Sequence, residues 1–279
     1  MKERLVLFFV LFFLAVSVPA QAPGDAMCGV RESDRATTEL VESLLADFRK
    51  SFRPGEKATL RIPVAVHIIT KGREGNYPDR IVERWIDNLN AGFSSTPFQF
   101  ELVRINRVNN RQWHEDCAFG TRNHLNMTRR LAVDPAKTLN VYVCRPVPAT
   151  GMGSLPFMFP QRDKQHSVVI HSSAMPHGRG RTEISTHGYV LVHEVGHYLG
   201  LFHTFQGGCE DRDQVADTPG QEGPANGCQG FRDTCPALGA DDVTNFMDYA
   251  NDLCWDHFTP GQIQRMVEMT ALFRPLLGK

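Results

Sequence analysis

The chain has 279 residues, of which 42% are hydrophobic and 22% are charged. This composition is that of a folded domain and excludes a disordered polymer. Thirty Lys and Arg residues against 31 Asp and Glu residues give a formal net charge of −1. The chain therefore lacks the basic excess that a nucleic acid or an anionic membrane surface would attract. Its seven cysteines, an odd number, predict disulfides together with one thiol that has another role.

The N-terminal residues have the pattern of a secretory signal peptide. Lys2 and Arg4 precede the apolar run 5–16, and Ala-Gln-Ala at 20–22 supplies the small residues of a cleavage site. A transmembrane anchor is the alternative, but the run is shorter than the roughly 18 to 20 residues that a span needs. We predict a signal peptide over 1–22 and a secreted, extracellular, oxidised protein with no membrane partner once the signal is removed.

Residues 23–57 differ in character from the chain that follows. An amphipathic helix is predicted by apolar residues at helical spacing, namely Leu40, Val41, Leu44, Leu45 and Phe48. A basic stretch with Pro and Gly follows at 49–57 and breaks the helical pattern. We interpret 23–57 as a removable pro-segment and place the main folded domain at 58–279.

The main domain begins with alternating strand and helix patterns. Strands are predicted at 60–69, 98–108, 139–143 and 168–171, and helices at 79–93 and from about Tyr189. The segment between 143 and 168 is rich in Pro, Met and Gly and is predicted to be loop. Beyond Gly207 the composition shifts to Gly, Asp, Pro and Cys, and a helix is predicted only at 260–277. These patterns predict an α/β or α+β N-terminal half and an irregular, disulfide-stapled C-terminal part.

The run HEVGHYLGLFH at 193–203 has the spacing of a metal site. On a helix His193 and His197 lie one turn apart on one face, so both imidazoles can bind a single ion. Glu194 lies about 100° further round the helix, where a carboxylate reaches a water molecule as a general base. Gly200 can turn the chain so that His203 becomes a third ligand. Three protein ligands with one open position are typical of catalytic zinc.

An ordinary helix that carries core or surface histidines is the alternative, and the offsets of Gly200 and His203 make a chance match rare. The run is the metzincin signature, and NFMDY at 245–249 looks like the turn whose methionine, here Met247, lies beneath the metal. With DTP at 217–219 and FTPGQIQRM at 258–266, residues 60–279 resemble the pappalysin family, especially its secreted fungal-type members.

The resemblance implies a metzincin-like α/β (α+β) fold. Its N-terminal subdomain, to about residue 200, would hold a mixed twisted sheet with helices. Its C-terminal subdomain, 201–279, would be irregular, stapled by disulfides and closed by a helix. The implied activity is that of a secreted zinc endopeptidase with one catalytic Zn²⁺ and polypeptide substrates, in which Glu194 and zinc activate water. We expect a monomer.

The resemblance also implies roles for single residues. Tyr249 matches a family tyrosine that approaches the zinc or the developing oxyanion, whereas a packed core tyrosine is the alternative. A calcium site is implied after the third histidine, where hard oxygen ligands are supplied by Glu210, Asp211, Asp213, Asp217 and Thr218. An acidic solvated loop is the alternative there. Spacing leaves three pairings of the four clustered cysteines open. The resemblance selects Cys209 with Cys235 and Cys228 with Cys254.

Cys28 is the cysteine left over if Cys117 pairs with Cys144. The Cys28-Gly29 arrangement is similar to the cysteine switch of some metzincins, in which a thiolate takes the open position on zinc and holds a precursor latent. A disulfide from Cys28 to Cys117 or Cys144 is the alternative. We also expect the substrate to add as a strand near His171, and we note a glycosylation sequon at Asn126.

Two rival functions are weighed against a pappalysin-like peptidase. A secreted zinc-containing binding or effector protein without turnover would have no use for the carboxylate of Glu194. An astacin-like metzincin is disfavoured because Thr204 stands where an acidic residue is expected.

Overall fold

The structure, a computed structural model, describes residues 28–30, 34–52, 59–145, 149–176, 187–211, 213–228, 230–236, 239–250 and 252–279. The predicted signal peptide and parts of the predicted pro-segment, 23–27, 31–33 and 53–57, lie outside these residues. Within the described ranges, none of the helices has the length and apolar character that a membrane span needs.

One mixed sheet of five strands forms the centre of the N-terminal half. The strands are β1 Leu60–Thr70, β2 Phe98–Asn109, β3 Leu139–Cys144, β4 Gly151–Gly153 and β5 Val168–His171. Their order across the sheet is β2-β1-β3-β5-β4. The first four of these strands run parallel, and β4 pairs antiparallel with β5. The predicted mixed sheet is confirmed, and β4 forms one of its edges.

Helices cover both faces of the sheet. The described helices are α1 Arg35–Ser51, α2 Asp79–Gly92, α3 Arg111–Glu115, α4 Arg122–Leu131, α5 Val190–Tyr198, α6 Gly208–Asp211 and α7 Pro260–Phe273. On one face α2 packs against β2 and α5 packs against β4 and β5, with Trp85 and Val192 in the main core. On the other face α3 and α4 contribute Trp113 and Met127, which pack with Tyr142. Because successive strand residues point to opposite faces, β3 supplies both cores.

The structure differs from the sequence-based elements at three places. The expectation of loop between 143 and 168 is wrong at β4, whose two glycines carry no strand propensity. Helices α3 and α4 were not predicted, and the short α6 contradicts the expectation of a single helix beyond Gly207. The C-terminal helix ends at Phe273 and not at Leu277, because the residue before Pro275 is disfavoured in the helical region.

Three disulfides hold the described chain. One joins Cys117 to Cys144 below the sheet, and two lie in the C-terminal half, where Cys209 pairs with Cys235 and Cys228 with Cys254. The last two pairs are those that the resemblance selects. Cys28 is a free, buried thiol, so the alternative in which it pairs with Cys117 or Cys144 is wrong.

Helix α7 connects the C-terminal half to the rest of the molecule. It begins with a capping box, in which Thr259 and Gln262 each accept from the other's backbone N–H. On its inner side, the buried guanidinium of Arg265 donates to the carbonyl oxygen of Gly200 at 3.1 Å and to that of Gln214 at 3.5 Å. Helix α1 packs on its outer side through Leu45 and Met269.

Candidate active site

Helix α5 carries the first two predicted ligands and is held at both ends. No side chain from its own N-cap residue satisfies its first N–H groups. The carboxylate of Asp252 fixes the segment just before the helix, where it accepts from the backbone N–H of His187 at 2.7 Å and of Tyr189 at 2.6 Å. After the helix, Gly200 has a φ of 109°, in the region that favours glycine. The resulting turn returns the chain towards α5 and brings His203 to the other two histidines.

The three histidines present their Nε2 atoms to one point. The Nε2 atoms of His193 and His197 are 3.2 Å apart, and those of His197 and His203 are 3.1 Å apart. An ion bound tetrahedrally at 2.0–2.1 Å from each nitrogen separates its ligands by about 3.3–3.4 Å. The donor set and its spacing therefore fit zinc.

Backbone carbonyls fix the orientation of two of these rings. His193 Nδ1 donates to the carbonyl oxygen of Phe246 at 2.6 Å, and His197 Nδ1 donates to that of Leu201 at 2.8 Å. With the proton on Nδ1, each Nε2 carries the lone pair that binds a metal. Burial lowers the pKa of His193 to about 4 and holds the pKa values of His197 and His203 well below the usual range. All three rings are therefore neutral, as ligation requires.

Glu194 lies fully buried beside this cluster and against strand β4. Burial raises the pKa of its carboxyl group well above the usual value. A Cβ atom added at Gly151 would lie 2.5 Å from Glu194 Oε1, and one added at Gly153 would overlap the backbone carbonyl oxygen of Glu194. The edge strand approaches the carboxylate this closely because neither residue has a side chain.

These two glycines were missed by sequence reasoning, although one signal pointed to them. Alternate glycines within a short stretch place both on the same face of a strand, and glycine in a strand marks close approach of another chain segment. Asp252, which holds the N-terminus of α5, carried no comparable signal.

The methionine turn lies beneath α5. Met247 is fully buried, and its sulfur contacts the position that a side chain at Gly196 would occupy. Asn245 Oδ1 accepts from the backbone N–H of Met247 at 2.9 Å, and its amide nitrogen donates to Gln262 at 2.9 Å. The turn is thereby tied to α7 and supports the helix that carries the ligands.

Tyr249 stands at the side of the histidine cluster and is partly buried. Its ring centroid is 4.9 Å from that of His203 and 5.9 Å from that of His193. Burial raises the pKa of its hydroxyl group, which is therefore a hydrogen-bond donor. The hydroxyl donates to the backbone carbonyl oxygen of Cys28 at 3.2 Å.

Cys28 reaches the same point from the other side. Its Sγ atom and one ring nitrogen of each of the three histidines all lie within 4.8 Å of one another. Its thiol donates to Glu194 Oε2 at 3.5 Å, and burial raises the pKa of that thiol well above its ordinary value. The backbone N–H of Gly29 donates to the carbonyl oxygen of Gly151 at 2.9 Å, so this segment lies along the edge of β4.

The edge next to the histidines is therefore β4. Our expectation that His171 and its strand form this edge is wrong, because β5 lies between β3 and β4. The side chain of His171 bonds Ser173 instead, at 2.6 Å.

The residues proposed for calcium separate into two groups. Asp213 and Thr218 are buried, and Asp213 Oδ2 and Thr218 Oγ1 have no hydrogen-bond partner among the described residues. Burial raises the pKa of Asp213 to about 7. Asp217 instead accepts from Thr259 Oγ1 and the backbone N–H of Gly261, both at 2.8 Å, at the start of α7. Glu210 is exposed, and the side chain of Asp211 lies outside the description.

The chain is similar in sequence to known metalloproteases. Residues 124–271 match the model of peptidase family M43, described as pregnancy-associated plasma protein-A. The chain is 32% identical over 274 residues to the extracellular metalloprotease of Arthroderma benhamiae, covering 96% of this chain and 98% of that protein. The extracellular metalloprotease of Pyricularia oryzae is 31% identical over 287 residues, covering 98% and 99%.

Two solved structures from Tannerella forsythia have a similar fold. A promirolysin mutant superposes with a TM-score of 0.75 at 24% identity, over 90% of this chain and 96% of that chain. Mature mirolysin in complex with a cleaved peptide superposes with a TM-score of 0.66 at 26% identity, over 79% and 97%.

Proposed function

Because the chain belongs to the pappalysin-like family of zinc metalloendopeptidases within the metzincins, we propose that it is a secreted enzyme in which Glu194 activates water for cleavage of internal peptide bonds. The observation that carries this proposal is the convergence of three neutral imidazoles beside a buried carboxylate at the edge strand of a sheet. One zinc ion held by His193, His197 and His203 suits that donor set.

The chain's own residues divide the chemistry among them. When bound, zinc polarises the scissile carbonyl and lowers the pKa of water. Glu194 takes a proton from the attacking water and delivers it to the leaving amine nitrogen. Tyr249, held protonated beside His203, donates a hydrogen bond to the developing oxyanion.

The substrate polypeptide adds as a strand along β4. This mode is supported by the carbonyl oxygen of Gly151, which accepts a backbone hydrogen bond from Gly29. Alignment on β4 places a peptide bond next to Glu194, since Gly151 lies directly against that carboxylate.

We further propose that residues 23–57 keep the secreted precursor latent. Cys28 occupies the place of the attacking water: its thiol contacts Glu194, its sulfur lies beside the three histidines, and its carbonyl engages Tyr249. Removal of the segment frees all of these groups together.

Secretion and calcium binding complete the proposal. Secretion is supported by the predicted signal peptide, by three disulfides and by relatives named extracellular metalloproteases. Calcium binding is supported by the oxygen atoms of Asp213 and Thr218, two buried side chains that lie close to each other. Hard oxygen ligands of this kind suit Ca²⁺.

Glu194→Gln tests the proposed function. The processed variant should retain one zinc per chain, because all three histidines remain, and its turnover should fall by about 10²–10⁴-fold. Zinc content and hydrolysis of a fluorogenic peptide library are measured together, with the exposed Glu222→Gln as the matched control. Zinc-loaded, processed unmodified protein that cleaves none of the peptides would instead favour a binding or effector protein.

Cys28→Ala tests latency. The variant precursor, residues 23–279, should hydrolyse peptide without any cleavage, whereas the unmodified precursor should not. Equal inactivity of the two precursors, when the processed form of the variant is active, would show that the thiol is not the inhibitor.

A further inference from the structure

The described pro-segment residues contact the rest of the chain at two separate places. Cys28 and Gly29 lie at the histidine cluster and β4. Helix α1 lies against α7, where Leu45 packs with Met269, Glu42 pairs with Arg265 and Arg49 pairs with Glu268. Five residues, 30–34, separate these two parts. The blocking contact and the contact made by the helix are therefore distinct.

The contact between α1 and α7 has an apolar centre. Val41 and Leu45 are buried against Met269, and Phe48, Phe157, Leu272 and Phe273 surround them. Leu45 is fully buried, whereas its neighbours Leu40 and Leu44 are 51% and 44% exposed. The helix thus buries one defined stripe and leaves the adjacent leucines in solvent.

Two ion pairs border this apolar centre, and each includes a buried charge of α7. Glu42 Oε1 accepts from Arg265 at 2.6 Å, and Arg265 is 1% exposed. Arg49 donates to Glu268 Oε2 at 2.7 Å, and the Glu268 side chain is 5% exposed. Departure of α1 would remove the opposite charge from both groups, so the two ion pairs add to the apolar contact in holding the helix on α7.

We propose that α1 is an anchor and that the pro-segment stays bound, and the enzyme latent, after the chain is cut between residues 53 and 58. The severed segment is then a two-point ligand of its own enzyme, an amphipathic helix on α7 joined by a short connection to the thiol at the histidines. This inference rests on the proposed role of Cys28 in latency.

The thiol contact and the α1 contact belong to one segment, and this explains why a single cut does not release it. Each contact holds the other at high effective concentration, which strengthens binding by about 10²–10⁴-fold over the separate contacts. Most of the stability of an amphipathic helix in a protein comes from its packed face, so α1 loses its main support as it leaves α7. Dissociation must therefore overcome the loss of the contact and the loss of helical structure. Release then requires dilution, displacement or a further cut between the thiol and the helix.

The test uses the precursor with a site-specific protease sequence in place of residues 53–58. Retention of the severed segment is measured by gel filtration and native mass spectrometry in a Glu194→Gln background, which prevents self-cleavage. Latency and its response to dilution are measured in the parent with Glu194 intact. Leu45→Ala is compared with Leu44→Ala, the same substitution at the adjacent, exposed position of the same helix.

We expect the segment to remain with the domain in the parent and in Leu44→Ala, and activity to appear there only after dilution. Leu45→Ala should release the segment about thirtyfold faster or more. Arg49→Gln, at a half-exposed side chain that should tolerate substitution, should also speed release. Thermal unfolding of the uncut variants confirms that each is folded before cleavage.

Separation of the severed segment from the parent as soon as the chain is cut would overturn the proposal. So would equal retention in Leu44→Ala and Leu45→Ala, because the buried stripe would then not be the anchor. Failure of the proposed function is distinguished by digesting the pro-segment completely. A zinc-loaded domain that is still inactive after this digestion contradicts the proposed function. The retention measurements do not depend on activity and still test whether α1 is the anchor.

Discussion

Substitution of Gly151 by alanine tests whether the edge strand positions the catalytic carboxylate. The added Cβ would lie 2.5 Å from Glu194 Oε1 and 2.6 Å from its Cγ, about 0.9 Å short of the 3.4 Å at which ordinary contact begins. Strand β4 cannot withdraw easily, because it is paired with β5 and Gly153 rests on the backbone of α5. The carboxylate of Glu194 must therefore move by nearly 1 Å.

A misplacement of this size costs about 10²-fold in rate, equivalent to about 2.7 kcal/mol of transition-state stabilisation. We expect kcat of processed Gly151→Ala to fall by this factor while KM and zinc content change little, because the carbonyl oxygen of residue 151 and the three histidines remain. Gly230→Ala is the control, since a Cβ there meets nothing within 4 Å. A kcat within threefold of the parent, with zinc bound, would refute the argument that this glycine positions Glu194.

Three further predictions concern other parts of the site. Tyr249→Phe should lower kcat by about 10²-fold at unchanged zinc content if the hydroxyl serves the oxyanion, whereas a packing tyrosine would chiefly lower the melting temperature. Calcium should raise the melting temperature of the parent and of Glu210→Gln, but not of Asp213→Asn; an equal rise in all three would contradict the proposed site. The hydrogen bond to Asp242 is the main cause that raises the pKa of His257 to about 9. The unfolded chain holds that proton less tightly, so protonation of His257 stabilises the folded state. This contribution to the free energy of unfolding should be fully present below about pH 6.5 and lost as pH rises through about 9. A melting temperature that falls equally in the parent and in His257→Gln over that range would show that this proton is not responsible.

The sequence predicted the metal cluster because its geometry is local. The spacing of His193 and His197 needs only a helix, and that of His203 needs only the turn that Gly200 permits. The burial of Glu194 could not be predicted in this way, because it depends on β4, a strand with two glycines and no strand propensity. Asp252 acts on α5 from a distant part of the chain, and its contact follows from the fold alone.

The unpredicted helices have a similar explanation. Helix α4 buries chiefly His124, Met127 and Thr128, two of which are polar, so apolar residues alone do not mark its buried face. In α1 the spacing predicted the helix but not which leucines would be covered, because that depends on where α7 lies. By contrast, the end of α7 was predictable from Pro275, since proline restricts the residue that precedes it.

Arg265 illustrates how substitutions in this protein should be interpreted. Its single guanidinium group contacts the carbonyl oxygen of Gly200 at the turn before the third histidine, that of Gln214 in the following loop, and the carboxylate of Glu42 on α1. A change at this position is therefore pleiotropic: it alters three regions that are distant in sequence and differ in role. Loss of activity in an Arg265 variant would not identify a catalytic residue, and early activation would not identify a cleavage site. Paired substitutions with Glu42 can separate these effects, because they isolate the part of the phenotype that belongs to one contact.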